Sequence, residues 1–151
     1  MAAGIYNRGK AILGGKSVTA GPHVWGTTSV GVILVTSAYT PNADHNFVSD
    51  LTNELSGGGY ARLTAIGSQS ITEDDTNDRI DYVGQKVTFP SLGAAAGTPQ
   101  YAIVYDRTGG SDAARELLGW IDLGTPTVPD GNNYEVRWGG TDGVGVVMRL
   151  S

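Results

Sequence analysis

The feature that most constrains this chain is a run of short, β-branched and aromatic segments, each cut off by residues that no strand continues through. "YAIVYDR" (101–107), "ELLGWIDLG" (116–124), "NNYEVRWGG" (132–140) and "GVGVVMRL" (143–150) are separated by "TGGSDAA", "TPTVPDG" and "GGTDG". Upstream, "YARLTAIGSQSI" (60–71) and "RIDYVGQKVTFP" (79–90) flank an acidic stretch, and "VGVILVT" (30–36) is a continuous apolar run between turn signals. Short strands at this spacing, punctuated by Gly, Pro, Asn and Asp, predict a β-sandwich or a barrel. The run at 30–36 predicts a strand buried on both faces. In "NNYEVRWGG" the alternation sends Tyr134, Val136 and Trp138 to one side and Glu135 and Arg137 to the other. Glycine at 23 residues is about twice its usual share, and charged residues at 17% fall below the usual quarter or so, both in keeping with a turn-rich β protein.

Only one stretch has helical periodicity. "ADHNFVSDLTNEL" places Phe47, Val48, Leu51 and Leu55 at i, i+1, i+4 and i+8, with "SGGG" at 56–59 to stop it. Asn42 or Asp44 is the expected N-cap. Residues 1–29 read as an irregular N-terminal arm ahead of a domain spanning 30–151, with room for a short helix weakened by Gly9 and by glycines 14 and 15. The arm carries Ile5, Tyr6, Ile12, Leu13, Val24 and Trp25, which need a surface to cover them. A neighbouring subunit is the expected place, with Trp25 as an interface anchor. The overall expectation is a mainly β, sandwich or barrel-like domain with one short helix and this arm.

Composition removes several function classes. A net charge of −5 with ten scattered basic residues argues against nucleic-acid binding, which needs cations to neutralise phosphates. The absence of cysteine excludes disulfides, thiolate metal sites and thiol nucleophiles. The longest apolar stretch, Val30–Val35, is far too short for a membrane helix. The opening "MAAGIYNRGKAILGGK" lacks the basic-then-apolar order of a secretory signal.

The chemistry that remains is concentrated in "ITEDDTNDRIDY" (71–82), with Glu73, Asp74, Asp75, Asp78 and Asp81 around Thr76 and Asn77. A calcium loop started at Asp74 would need Gly at its sixth position and Glu at its twelfth, where the chain has Arg79 and Gln85. Asp74, Asp75 and Asp78 are the candidate ligands for a looser cation site. A solvated turn is the simpler reading, because Asp and Asn bond their own backbone in turns. Adjacent acids on a hairpin lack the fixed separation that a paired-carboxylate hydrolase needs. His23 and His45 are the only imidazoles, and no G-x-S-x-G elbow accompanies them. The Gly-Gly pairs at 14–15, 109–110 and 139–140 build neither a phosphate-binding nor a dinucleotide-binding loop, so no cofactor is expected. Tyr60, Tyr82, Tyr101, Tyr105 and Trp120 sit at strand positions and read as packing residues.

Taken in order, "YNRGKAILGG", "VILVTSAYTPN", "HNFVSDLTNELSGGGYARLTA", "DDTNDRIDY", "VTFPSL", "YAIVYDRTGG", "LLGWIDLG" and the closing "NNYEVRWGGTDGVGVVMRL" cover nearly the whole chain. The ordered set resembles a family of small structural proteins encoded in tailed-bacteriophage genomes. "SVTAGPHVWGTTS" (17–29) is longer here than in that pattern. The resemblance implies a virion component without catalytic activity: a capsid decoration or cement subunit that binds the major capsid protein, as a homotrimer, in virions assembled in the host cytoplasm. It implies no active-site residues, no nucleic-acid partner and no membrane. The alternative it leaves open is a tail, baseplate or head–tail junction protein that contacts host surface glycans.

Overall fold

Strand β4 (Val30–Val35) is buried at all six positions and lies at the edge of the central sheet. In the computed structural model, which describes residues 3–18, 21–27, 29–139 and 143–151, this sheet is four antiparallel strands. The order runs from β1 (Ala3–Ile5) through β9 (Leu117–Asp122) and β8 (Tyr101–Asp106) to β4. Alternation explains the continuous apolar run. Val30, Val32 and Leu34 enter one core, Ile33 and Val35 enter another on the opposite face, and a strand covered on both sides has no polar positions to offer.

The first face packs against two smaller antiparallel sheets. One orders β11 (Val144–Leu150), β6 (Arg79–Gln85) and β5 (Ser70–Asp74); the other pairs β10 (Tyr134–Val136) with β7 (Val87–Phe89). Between the layers lie Val32, Leu34, Val104, Leu118, Phe89, Trp138 and Met148. The architecture is sandwich-like, and its sheets do not close into a barrel. The opposite face of the central sheet is covered by loops: Tyr6, Tyr39 and Val48 pack there on Ile33, Ile103, Tyr105 and Leu117. A bulge in β9 leaves Leu118 as the extra residue between the pairs Val104–Gly119 and Tyr105–Leu117, and Leu117 faces one core while Leu118 faces the other.

The N-terminal segment corrects the reading of 1–29 as an irregular arm. It holds β1, the helix α1 (Asn7–Leu13) and a two-residue hairpin of β2 (Ser17–Val18) with β3 (Gly21–Pro22). Residues 1–2, 19–20 and 28 of that arm, and 140–142 of the final turn, lie outside the described residues. The helix forms despite Gly9 because Gly9 is its contact point. A Cβ there would lie 2.1 Å from the Leu118 carbonyl oxygen, so only glycine lets α1 lie directly on β9. Gly4 does similar service in β1: its register partner Trp120 lays its ring across the space where a Cβ would be.

The expected helix over 43–55 does not form. One 3-10 turn, Val48–Asp50, is all that remains of it. The Asp50 carboxylate accepts from the Asn46 and Phe47 backbone N–H groups at 2.8 and 3.0 Å, closing a local turn. Beyond it the chain runs out to the free edge of β4, where Thr36 N–H donates to Asn53 O and Leu55 N–H donates to Leu34 O, both at 3.0 Å. Satisfying a buried strand edge outweighs a helical stripe. The expected strand over 60–71 is likewise mostly loop. Leu63 exchanges two backbone bonds with Val32, Tyr60 Oη accepts from Leu34 N–H, and regular pairing starts only at Ser70. The expected strand over 79–90 is two, β6 and β7, broken at Lys86.

Candidate functional surface

Four of the six arm residues expected at a subunit interface belong to the chain's own core. Ile5, Tyr6, Ile12 and Trp25 are buried, Leu13 is half-buried against the same core, and Val24 alone is well exposed. The Trp25 indole N–H donates to Val83 O at 3.0 Å and its ring meets Tyr82 edge-on. Tyr6 and Tyr39 share a hydroxyl–hydroxyl bond of 2.9 Å, and Tyr39 Oη lies 3.0 Å from His45 Nδ1. Burial, helped by Tyr39, pushes the Tyr6 phenol far above its usual range. His45 therefore belongs to this buried chain rather than to a helix start.

Long-range charge pairs brace the fold. Arg8 Nε donates to Glu116 Oε1 at 2.7 Å, and the Glu116 side chain is fully enclosed. Arg62 reaches both carboxylate oxygens of Glu54 (2.7 and 2.6 Å) and of Asp112 (2.7 and 2.9 Å). The guanidinium in turn holds the Asp112 carboxyl below its usual range. His23 Nδ1 lies 2.5 Å from Asp106 Oδ2, deep in the protein, and Thr108 donates to Asp106 Oδ1 from both N–H and hydroxyl. Burial alone would raise the Asp106 carboxyl, but the bonds from His23 and Thr108 outweigh it and leave it low. The contact resembles the histidine–carboxylate pair of a hydrolytic triad in its atoms alone. Nε2, where a nucleophile's hydroxyl would sit, meets no hydrogen-bond partner among the described residues.

The acidic stretch is a hairpin end. Strand β5 closes onto β6 at the Asp74–Arg79 pair, and residues 75–78 form the turn, with Asp78 at φ +50°. Both Asp74 oxygens are engaged. Oδ1 accepts the Asn77 N–H at 3.2 Å, and Oδ2 accepts the Asn77 amide at 2.8 Å and Arg79 Nη2 at 2.8 Å. The Asn77 amide, with Arg79, holds the Asp74 carboxyl below its usual range. Among the described residues no three carboxylate or imidazole groups converge as a metal site, so Asp74, Asp75 and Asp78 do not form one ligand set here.

What the hairpin does carry is apolar. Residues directly opposite in an antiparallel ladder share a face. Met148, Tyr82 and Ile71 form one row across β11, β6 and β5, and Leu150, Ile80 and Glu73 form the next. The first row begins in the core and ends outside it: Met148 is 1% exposed, Tyr82 4% and Ile71 53%. In the second, Leu150 packs at the core margin and Ile80 is 39% exposed. The inward face of this sheet thus overhangs the sandwich, and Glu73, Asp75 and Asp78 border a groove of about 460 Å³ beside Ile80 and Leu150. Sequence reasoning placed Ile71, Ile80 and Leu150 in strands without saying which face each takes. Their signal was two isoleucines on either side of a polar turn, which reads as core until the register is known. The chain matches no protein-family model, no curated protein and no solved structure.

Proposed function

We propose that the chain is a bacteriophage virion structural subunit, in its simplest form a capsid decoration or cement protein that binds major capsid proteins as a homotrimer. The observation that carries the reading is the overhang, where Ile71 on the edge strand β5 and Ile80 on its neighbour β6 stand exposed side by side at one corner of the sandwich. A protein that acts by being gripped needs an apolar anchor with a polar rim, and this corner supplies both. The sequence resemblance to phage structural proteins, carried by "YNRGKAILGG", "VILVTSAYTPN", "YAIVYDRTGG" and "LLGWIDLG", points the same way. Binding only the assembled shell stabilises it by mass action, multiplied over many copies. The direct test compares virions made with and without the protein for the temperature at which heads rupture. Cementing predicts earlier rupture in its absence. Unchanged rupture, with loss of adsorption instead, would favour a tail protein that contacts host glycans.

A further inference from the structure

Each exposed sheet edge invites the same question: what satisfies its backbone? At β4 the chain answers for itself, through Asn53, Leu55, Tyr60 and Leu63. At β5, among the described residues, it does not. Strand β5 ends the β11–β6–β5 sheet, pairs there with β6 alone, and is exposed from Ser70 to Glu73 on both faces. Alternate N–H and C=O groups of its outer edge therefore point away from the protein. Natural edges of this kind are usually blunted by lysine, proline or a bulge. Strand β5, "SITED", has no lysine, proline or bulge; its only charges are Glu73 and Asp74, which bar an acidic segment but not a basic one, and its ladder with β6 is unbroken over five pairs.

We propose that β5 is a strand-capture site: an extended segment of a partner protein adds to its free edge as a fourth strand. The inference rests on the structural-subunit reading and names how that subunit would grip. The rows already on the sheet define the segment's chemistry. Its residue opposite Ile71 continues the row Met148–Tyr82–Ile71 and is apolar. Its residue opposite Glu73 continues the row Leu150–Ile80–Glu73 and is basic, because Glu73 has no cation within 4.0 Å among the described residues. Asp75 and Asp78 in the adjoining turn have none either, whereas Asp74 is already engaged by Arg79. The expected ligand is thus a strand with lysine or arginine two positions from a branched apolar residue. Main-chain bonds would supply affinity and the two side-chain rows would supply selectivity. A second copy of this chain is a poor occupant, since antiparallel pairing of β5 with itself about Thr72 sets Ile71 against Glu73 and supplies that carboxylate no cation.

The test uses the full-length protein and virions assembled without it. Wild type is expected to bind them, with amides of 70–74 gaining protection from hydrogen exchange. Ile71→Ser with Ile80→Ser should weaken binding about ten- to a hundredfold. Glu73→Lys should weaken it further at low salt than at high salt. Both substitutions lie on the surface, and an unchanged melting temperature verifies the fold. Wild-type and variant proteins that bind virions equally would overturn strand capture while leaving the virion reading intact. If wild type does not bind virions, that reading fails, and a peptide probe decides the present one. Thr-Lys-Thr-Val-Thr-Lys-Thr should perturb the 70–74 amides, and its Glu-for-Lys counterpart should not. Equal perturbation by both, or none by either, would overturn it.

Discussion

Gly9→Ala is the sharpest test of how the first residues are built into this fold. In an ordinary helix the change stabilises by about 1 kcal/mol, because alanine is the better helix former. Here the new Cβ would sit 2.1 Å from the Leu118 carbonyl oxygen and 2.8 Å from its Cα, where ordinary contact begins near 3.4 Å. The difference, 3.4 less 2.1, is about 1.3 Å of forced withdrawal, and both atoms are backbone, so no rotamer relieves it. Overpacking of this kind costs about 1–3 kcal/mol. Withdrawal also stretches the bond from Tyr6 N–H to the same Leu118 oxygen, now 3.1 Å, which is worth about 1 kcal/mol. Against the propensity gain, the net loss is about 1–3 kcal/mol, or about 2–12 °C of melting temperature for a domain of this size. Thermal and urea melts followed by circular dichroism measure it. Gly110→Ala, with nothing within 4 Å of the added methyl and no positive φ, is the matched control and should change little. A Gly9→Ala protein as stable as wild type, or more so, would mean that α1 does not lie on β9 and that the N-terminal segment is an arm after all.

Removing the Arg8 guanidinium in Arg8→Met takes a charge-assisted hydrogen bond from the enclosed Glu116 carboxylate, an effect worth about 1.5–3 kcal/mol in urea melts. Adding Glu116→Gln should restore part of that loss. Asp81, with its bonds to Arg149, Asp106 and Asp112 all have carboxyls held below the usual 3.8. Folded values below the unfolded one mean that their stabilisation is complete above about pH 4 and is lost as pH falls through the folded values. The urea midpoint should therefore fall steeply below pH 4, and Asp81→Asn should flatten that fall. A midpoint that rises on acidification would contradict the pairing. Millimolar calcium should leave the melting temperature unchanged, because Asp74 is already engaged by Asn77 and Arg79; a rise of several degrees would mean that the 73–78 turn binds the cation.

Strands with a complete local signal were legible from the sequence. The run at 30–36 announced a strand covered on both faces, and "YAIVYDR" and "GVGVVMRL" became β8 and β11 almost as read. The acidic stretch was legible as a hairpin turn because Asx chemistry is local: Asp74 and Asn77 are three residues apart. Failures came where distant groups decide. The stripe of Phe47, Val48, Leu51 and Leu55 is genuine, yet the bare edge of β4 and the Asp50 carboxylate claim that backbone instead. Gly9 weakened the helix it makes possible, because its partner Leu118 lies 109 positions later, 118 less 9. The overhang depends on register: nothing local distinguishes Ile71, exposed, from Tyr82, its buried neighbour across the ladder.

The most direct measurement is where the protein sits in a virion. A reconstruction of particles with and without it should show difference density on the outer shell between capsomers, with the β5–β6 hairpin against a neighbouring chain and an added strand along Ser70–Asp74. Density confined to the tail, or a hairpin pointing into solvent with β5 unpaired, would contradict it.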